Sequence, residues 1–393
     1  MDNIETKLFN GYRERFKSEP AFTARAPGRV NLLGEHVDYN NGLVIPTAID
    51  LTVWLAFSPS GTDQTTLVAL DMDDEVTFGP EHLAAKTRAD GSPMPDWAKF
   101  PAGVMATILE AGHPAPGMIG VFTSDIPRGA GLSSSAAVEM AFAVAWEKLG
   151  NWDIPPMELA KLSQRAENEY VGVKCGIMDQ FASACGEVDR LLFLDCESLF
   201  WQTAPLPPDV AIVIADTSVR RSLANTNAYN DRRAACEEAV RLLKEKLPEI
   251  NSLRDISLDD FNNLVVELPP EIAKRATHVV NEIDRAQRGL KLLQEGELAA
   301  FGKLMNECHD SLRDLYEVSS TELDVMAAIG QALPGSYGAR LTGAGFGGCT
   351  VNLVRRDEAL AFADALALSY EQQTGRHPEV HICRATLGAQ VMP

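Results

Sequence analysis

The alternation of apolar and polar positions changes character once along the chain. Residues 4–17 have the periodicity of a short amphipathic helix. Strand-like segments follow at 21–26, 30–33, 43–57 and 65–70, rich in β-branched residues and punctuated by Gly42 and by the cluster Ser58–Gly61. Residues 89–96 read as a loop, 97–111 as a helix, and Met118–Ser124 as a strand ended by Asp125, Ile126 and Pro127. Helices are predicted at 134–149 and 156–170, the second opened by Pro155 and Pro156, and a Leu-rich strand at Leu191–Asp195. Beyond the Pro-rich stretch Pro205–Pro208 the order differs: one strand (Val210–Asp216), three or more long helices between 226 and 333, strands at 337–342 and 349–354, a helix at 357–374 and a strand at 379–386.

The second pattern is that of an α+β domain of ferredoxin-like type. Two domains are expected, 1–206 and 207–393, meeting near Pro205–Pro208. Composition narrows the class. The 393 residues hold 35 Lys plus Arg against 55 Asp plus Glu, a net charge of −20, with 46% hydrophobic residues. A disordered chain is excluded by the apolar content, and nucleic acid is a poor partner for so acidic a protein. The seven cysteines are odd in number and show no CxxC spacing, which fits free thiols in a reducing cytoplasm. The N-terminus lacks an apolar stretch of signal-peptide type, and no apolar run is long enough to cross a membrane.

Three polar segments interrupt the packing pattern. Gly129, Ala130, Gly131, Leu132, Ser133, Ser134 and Ser135 lie between a strand and an alanine-rich helix. Glycines allow close backbone approach, and successive N–H groups at a helix start favour an anion. The segment reads as a phosphate cradle or as a small-residue turn with a serine N-cap. Arg29, Asn31, Glu35, His36 and Asp38 crowd one strand end. They offer the donors and acceptors that a neutral polyol requires, or else a salt-bridged turn with a structural histidine. Asp179, in Cys175–Gln180, is flanked by apolar residues and reads as a helix cap or as a general base with Arg29 as counter-charge. Gly343–Gly348 matches GxGxxG by letter, but a strand follows where a dinucleotide fingerprint needs a helix. It is a tight strand connection or a backbone contact to a ligand.

Together, Gly28–Asn40, Gly131–Ala137, Cys175–Gln180 and Leu341–Thr350 resemble the motifs of the small-molecule kinase superfamily that contains galactokinase, homoserine kinase, mevalonate kinase and phosphomevalonate kinase, and most closely those of its galactokinase family. Val37 stands where many members have Thr. The resemblance implies a two-domain α+β fold, with an N-terminal domain like ribosomal protein S5 domain 2 and a ferredoxin-like C-terminal domain. It implies ATP-dependent phosphorylation of the anomeric hydroxyl of α-D-galactose. By the same resemblance, Asp179 is the proton acceptor and Arg29 its neighbour. Glu35, His36, Asp38, Gly176, Asp179 and Tyr229 bind sugar, residues 129–135 bind ATP, and Ser135 and Glu167 hold Mg2+. Trp97 falls near where adenine is expected, or is a core tryptophan at a helix start. Galactose and ATP are thus the expected partners, without nucleic acid or membrane. The alternatives are a related 1-kinase acting on N-acetylgalactosamine, arabinose or galacturonate, a non-catalytic sensor of sugar and ATP, and a nicotinamide dehydrogenase.

Overall fold

The computed structural model describes residues 4–220 and 224–392, with the backbone alone for 224–227. The N-terminal half runs α1 (Ile4–Phe16), β1 (Phe22–Asn31), β2 (Leu43–Val44), β3 (Pro46–Pro59), β4 (Thr65–Ala69), β5 (Asp74–Phe78), α2 (Pro80–Leu83), α3 (Lys99–Glu110), β6 (Met118–Ser124), α4 (Ser134–Gly150), α5 (Pro156–Arg165), α6 (Met178–Cys185), β7 (Arg190–Asp195) and β8 (Trp201–Pro205). The C-terminal half continues β9 (Val210–Asp216), α7 (Ala224–Leu243), α8 (Leu258–Leu264), α9 (Pro270–Glu295), α10 (Leu298–Asp314), α11 (Thr321–Ala332), β10 (Ser336–Leu341), β11 (Cys349–Arg355), α12 (Ala359–Thr374), β12 (Glu379–Cys383) and β13 (Gln390–Val391).

The first sheet has strand order β13-β1-β3-β6-β4-β5. The two strands expected at 21–26 and 30–33 are one strand, β1, with a register shift between Pro27 and Arg29. A bulge of this kind bends a strand and re-aims its side chains without ending it. The polar face of β5 and the short β8 gave no strand signal, and both exist. The segment after Gly176, which carried no strand or helix assignment, is the helix α6. The helix expected at 156–170 is α-helical only to Arg165, then widens into a π-helical turn over Ala166–Val171.

The second sheet has order β10-β11-β9-β12 with all neighbours antiparallel, the ferredoxin-like arrangement. Every residue of β9 is buried because the sheet is covered on both faces. Val210, Ile212 and Ile214 join the large core shared with the N-terminal half. The alternate Ala211, Val213 and Ala215 join the small core under α11 and α12. Two-sided burial is why β9 reads as a continuous apolar run and not as an alternation. The final strand, β13, crosses back to pair with β1.

Candidate active site

The three polar segments converge on one cleft of about 250 Å³. Gly28, at the bulge of β1, passes so close to the loop after β6 that a Cβ there would lie 2.7 Å from the Leu132 carbonyl. The next residue, Arg29, is 4% exposed. Its Nε donates to Asp179 Oδ1 at 2.8 Å, its Nη2 forms an ion pair with the same oxygen at 2.7 Å, and its Nη1 donates to the Gly131 carbonyl at 2.7 Å. Asp179 lies one residue inside α6, whose N-cap is Ile177, so it is not the capping residue that one reading expected. Its side chain keeps 25% exposure, on the cleft.

Residues 129–135 form the facing wall. The carbonyls of Ala130, Gly131 and Leu132 accept from Cys349 N, Arg29 Nη1 and Arg29 N. In a trans peptide the following N–H points the opposite way. The N–H groups of Gly131, Leu132 and Ser133 are therefore turned from those donors, and Gly129, Gly131 and Ser133–Ser135 line the cleft. Gly129, Gly131 and Ser133 all have positive φ. Ser133 occupies the N-cap of α4 in the left-handed region, and its side chain makes no capping hydrogen bond. The serine-cap reading therefore fails, and the loop opens on the N-terminus of α4, where an anion is favoured. Ala130 and Leu132 are buried beneath the wall.

The Gly343–Gly348 loop joins β10 to β11 and locks against this wall. A Cβ at Gly343 would lie 2.4 Å from the Gly131 carbonyl, and one at Gly348 would lie 2.5 Å from the Ala130 carbonyl. It is a strand connection, and Gly343, Ala344 and Phe346 also line the cleft.

The sugar-side candidates occupy a polar corner. Glu35 is buried, with its carboxylate bonded to Arg340 and accepting from Gly343 N at 3.1 Å. His36 adopts a φ of 62°, and its Nδ1 lies 2.8 Å from Tyr39 Oη, which is 2.8 Å from Tyr316 Oη. The His36 ring lies 4.9 Å from the ring of Tyr316 and 5.6 Å from that of Tyr229. Asp38 packs on Gly176, where any Cβ would lie 2.1 Å from Asp38 Oδ2, so that close approach requires the glycine. Burial, then the nearby Asp179 carboxylate, raises Asp38 to about 6. Glu167 and Ser135 both line the cleft. Burial and Asp179 push Glu167 upward. Trp97 lies apart, donating from Nε1 to Asp74 at 2.8 Å and packing on Phe122.

All fourteen other predicted site residues besides Gly176 thus reach the cleft or its immediate backing. Several participants carried no separate signal. Tyr39 lies inside a motif that was read for its charges. Tyr316 and Arg340 meet it from 277 and 305 residues away. Glu139 and Gln180 stand behind Glu167, the first on a helix that reads as a packing element and the second inside a segment read for Asp179.

Comparison with known proteins assigns the class first. Residues 100–187 match the GHMP kinases N-terminal domain and residues 290–372 the GHMP kinases C-terminal domain, while residues 10–59 match the galactokinase galactose-binding signature. The fold is therefore the two-domain α+β fold of GHMP small-molecule kinases. The mevalonate kinase of Methanococcus jannaschii shares that fold, at a TM-score of 0.64 and 19% identity over 93% of this chain and 98% of its own. Among nearer relatives, a galactokinase of Roseiflexus sp. (strain RS-1) is 45% identical over 96% of this chain and 95% of its own, and one of Enterococcus faecalis is 40% identical over 95% of each. The crystal structure of Lactococcus lactis galactokinase complexed with galactose superposes at a TM-score of 0.92, with 32% identity over 99% of this chain and 100% of that one. The chain belongs to the galactokinase family.

Proposed function

We propose that this protein transfers the γ-phosphoryl group of ATP to the anomeric hydroxyl of α-D-galactose, giving ADP and α-D-galactose 1-phosphate. The observation that carries the reading is the Arg29–Asp179 pair, held at 2.7–2.8 Å on one wall of a cleft whose other wall is the backbone cradle of residues 129–135. Phosphoryl transfer asks the protein for alignment and charge neutralisation more than for covalent help. Asp179 accepts the proton of the anomeric hydroxyl. Arg29 orients that carboxylate and, through Gly131, fixes the cradle relative to it, so base and phosphate donor share one guanidinium. His36, Asp38, Gly176 and Tyr229 surround the sugar, with Glu35 bracing them from the floor.

A divalent cation, Mg2+ in this reading, fits the donor set. Ser135 and Glu167 are hard oxygen donors on the cleft wall. Among the described residues no group of three or more His, Cys, Asp or Glu is arranged to hold an ion unaided. That suits a metal held by one carboxylate and completed by nucleotide phosphates and water. When bound it neutralises charge on the transferring phosphoryl group. No helix among the described residues is long and apolar enough to cross a membrane, and the cysteines are free thiols. A cytoplasmic location is part of the same proposal.

The test is ADP release, measured by a coupled assay across galactose, N-acetylgalactosamine, arabinose and galacturonate. Preferential turnover of galactose is expected. Release that is independent of galactose, or faster with another sugar of the panel, overturns the assignment.

A further inference from the structure

Behind the cleft wall lies a buried polar group that the reading above does not use. The Gln180 side chain is fully buried, and its single amide nitrogen donates to two carboxylates, Glu167 Oε2 at 2.6 Å and Glu139 Oε2 at 2.9 Å. The Cys175 thiol donates to the same Glu167 oxygen at 3.3 Å. Glu139 is also fully buried, in the middle of α4, where its neighbours on the helix are Ala136, Ala137, Met140 and Ala143. A carboxylate is costly there, and an apolar side chain of similar volume would serve packing better. Its partner is the amide, and the amide's second partner is Glu167.

Glu167 needs such anchoring because it sits in the π-helical turn Ala166–Val171, where the backbone departs from the regular α ladder. One oxygen of its carboxylate is fixed from behind by Gln180 and Cys175, and the residue lines the cleft together with Ser135. Gln180 is also adjacent in sequence to Asp179, so one turn of α6 carries both the anchor and the base. We propose that Gln180, held in turn by Glu139, is a positioning residue that fixes the Glu167 carboxylate for the divalent cation accompanying the nucleotide. The inference rests on the kinase reading above.

Mn2+–ADP binding followed by electron paramagnetic resonance, with galactose binding measured by calorimetry on the same preparations, tests it. Gln180→Leu is expected to weaken Mn2+–ADP binding by about 10–100-fold, the usual consequence of removing a partner of a metal ligand, and to leave galactose affinity unchanged. Glu139→Ala should act in the same direction. Glu139→Gln should restore binding, since it keeps a carbonyl oxygen for the Gln180 N–H. If Gln180→Leu does not fold, Gln180→Asn, which is too short to span both carboxylates, takes its place with the same expectation. A folded variant with wild-type Mn2+–ADP affinity overturns the inference, as does equal loss of galactose binding, the mark of a merely structural role. A wild-type protein that phosphorylates galactose and binds Mn2+–ADP upholds the kinase reading whatever the variants do. One that does neither overturns both.

Discussion

The two walls of the cleft are built from different materials. The wall on β1 and α6 works through side chains: a buried guanidinium, a mostly buried carboxylate that reaches the cleft, and the carboxylates of Asp38 and Glu167. The 129–135 wall works through main chain, with glycines and a serine in left-handed conformations and three carbonyls turned to fixed donors. A side-chain site is changed by altering a functional group at constant shape. A backbone site is indifferent to most functional groups but sensitive to a single added Cβ.

The contrast predicts where the damage falls. The largest effect is expected at Asp179→Asn, which keeps shape and removes the base: kcat should fall by about 10²–10⁴-fold, the usual worth of general-base help, with galactose affinity little changed in calorimetry. Near-wild-type turnover would break the assignment. Arg29→Lys keeps charge but loses the planar fork that joins Asp179 to Gly131. Hydrogen bonds to charged groups contribute about 1.5–3 kcal/mol, so kcat should drop by about 10–100-fold in steady-state assays.

Asp38→Asn separates stability from binding. A carboxyl raised from 3.8 to about 6 in the folded chain binds more protons folded than unfolded in that window. The ligand-free fold therefore loses stability as pH rises through it, and the cost persists above pH 6. The amide removes this cost, so thermal unfolding of the ligand-free protein at pH 7.5 should shift upward while galactose affinity falls. In the unsubstituted protein, galactose affinity should weaken as pH drops below about 6, as Asp38 becomes protonated, and the variant should lack that dependence.

On the backbone wall, Gly343→Ala combines a positive φ with a Cβ that would lie 2.4 Å from the Gly131 carbonyl. It should cost about 1–3 kcal/mol of stability in denaturant titration and raise the KM for ATP. Gly129→Ala is expected to be the mildest. Its φ is also positive, but the nearest atom to an added Cβ is 3.7 Å away, so the cost is conformational only, about 1 kcal/mol.

The same contrast explains what the amino-acid sequence revealed. The glycine- and serine-rich loop announces itself because a backbone site needs small residues in a continuous run. Asp179 stood out as a charge in apolar surroundings and Arg29 as part of a crowded polar segment, although their contact spans 150 residues and only the fold brings it about. Glu139 and Gln180 were hidden. Each is one polar residue on a helix that otherwise packs, and their meaning lies in a meeting 41 residues apart in the chain. The π-helical turn and the bulge at Gly28 were likewise silent, because both arise from tertiary packing and not from local preference. The long apolar run of β9 gave the strand but not its two-sided burial, which depends on helices contributed from elsewhere in the chain.

The interlock of the two loops has a consequence for hydrogen exchange. Cys349 N donates to the Ala130 carbonyl across the two halves, while Gly348 N donates to Val219 and Thr217 N to Gly348 within the C-terminal half and Arg29 N to Leu132 within the N-terminal half, so one main-chain amide proton beside a loop joins the two loops. Loop amides ordinarily exchange by local fluctuation. The Cys349 amide should instead exchange only when the two loops separate, and its protection would report the free energy of parting them. Deuterium uptake at Cys349 would then track that of the central strands, and not that of the surface turns.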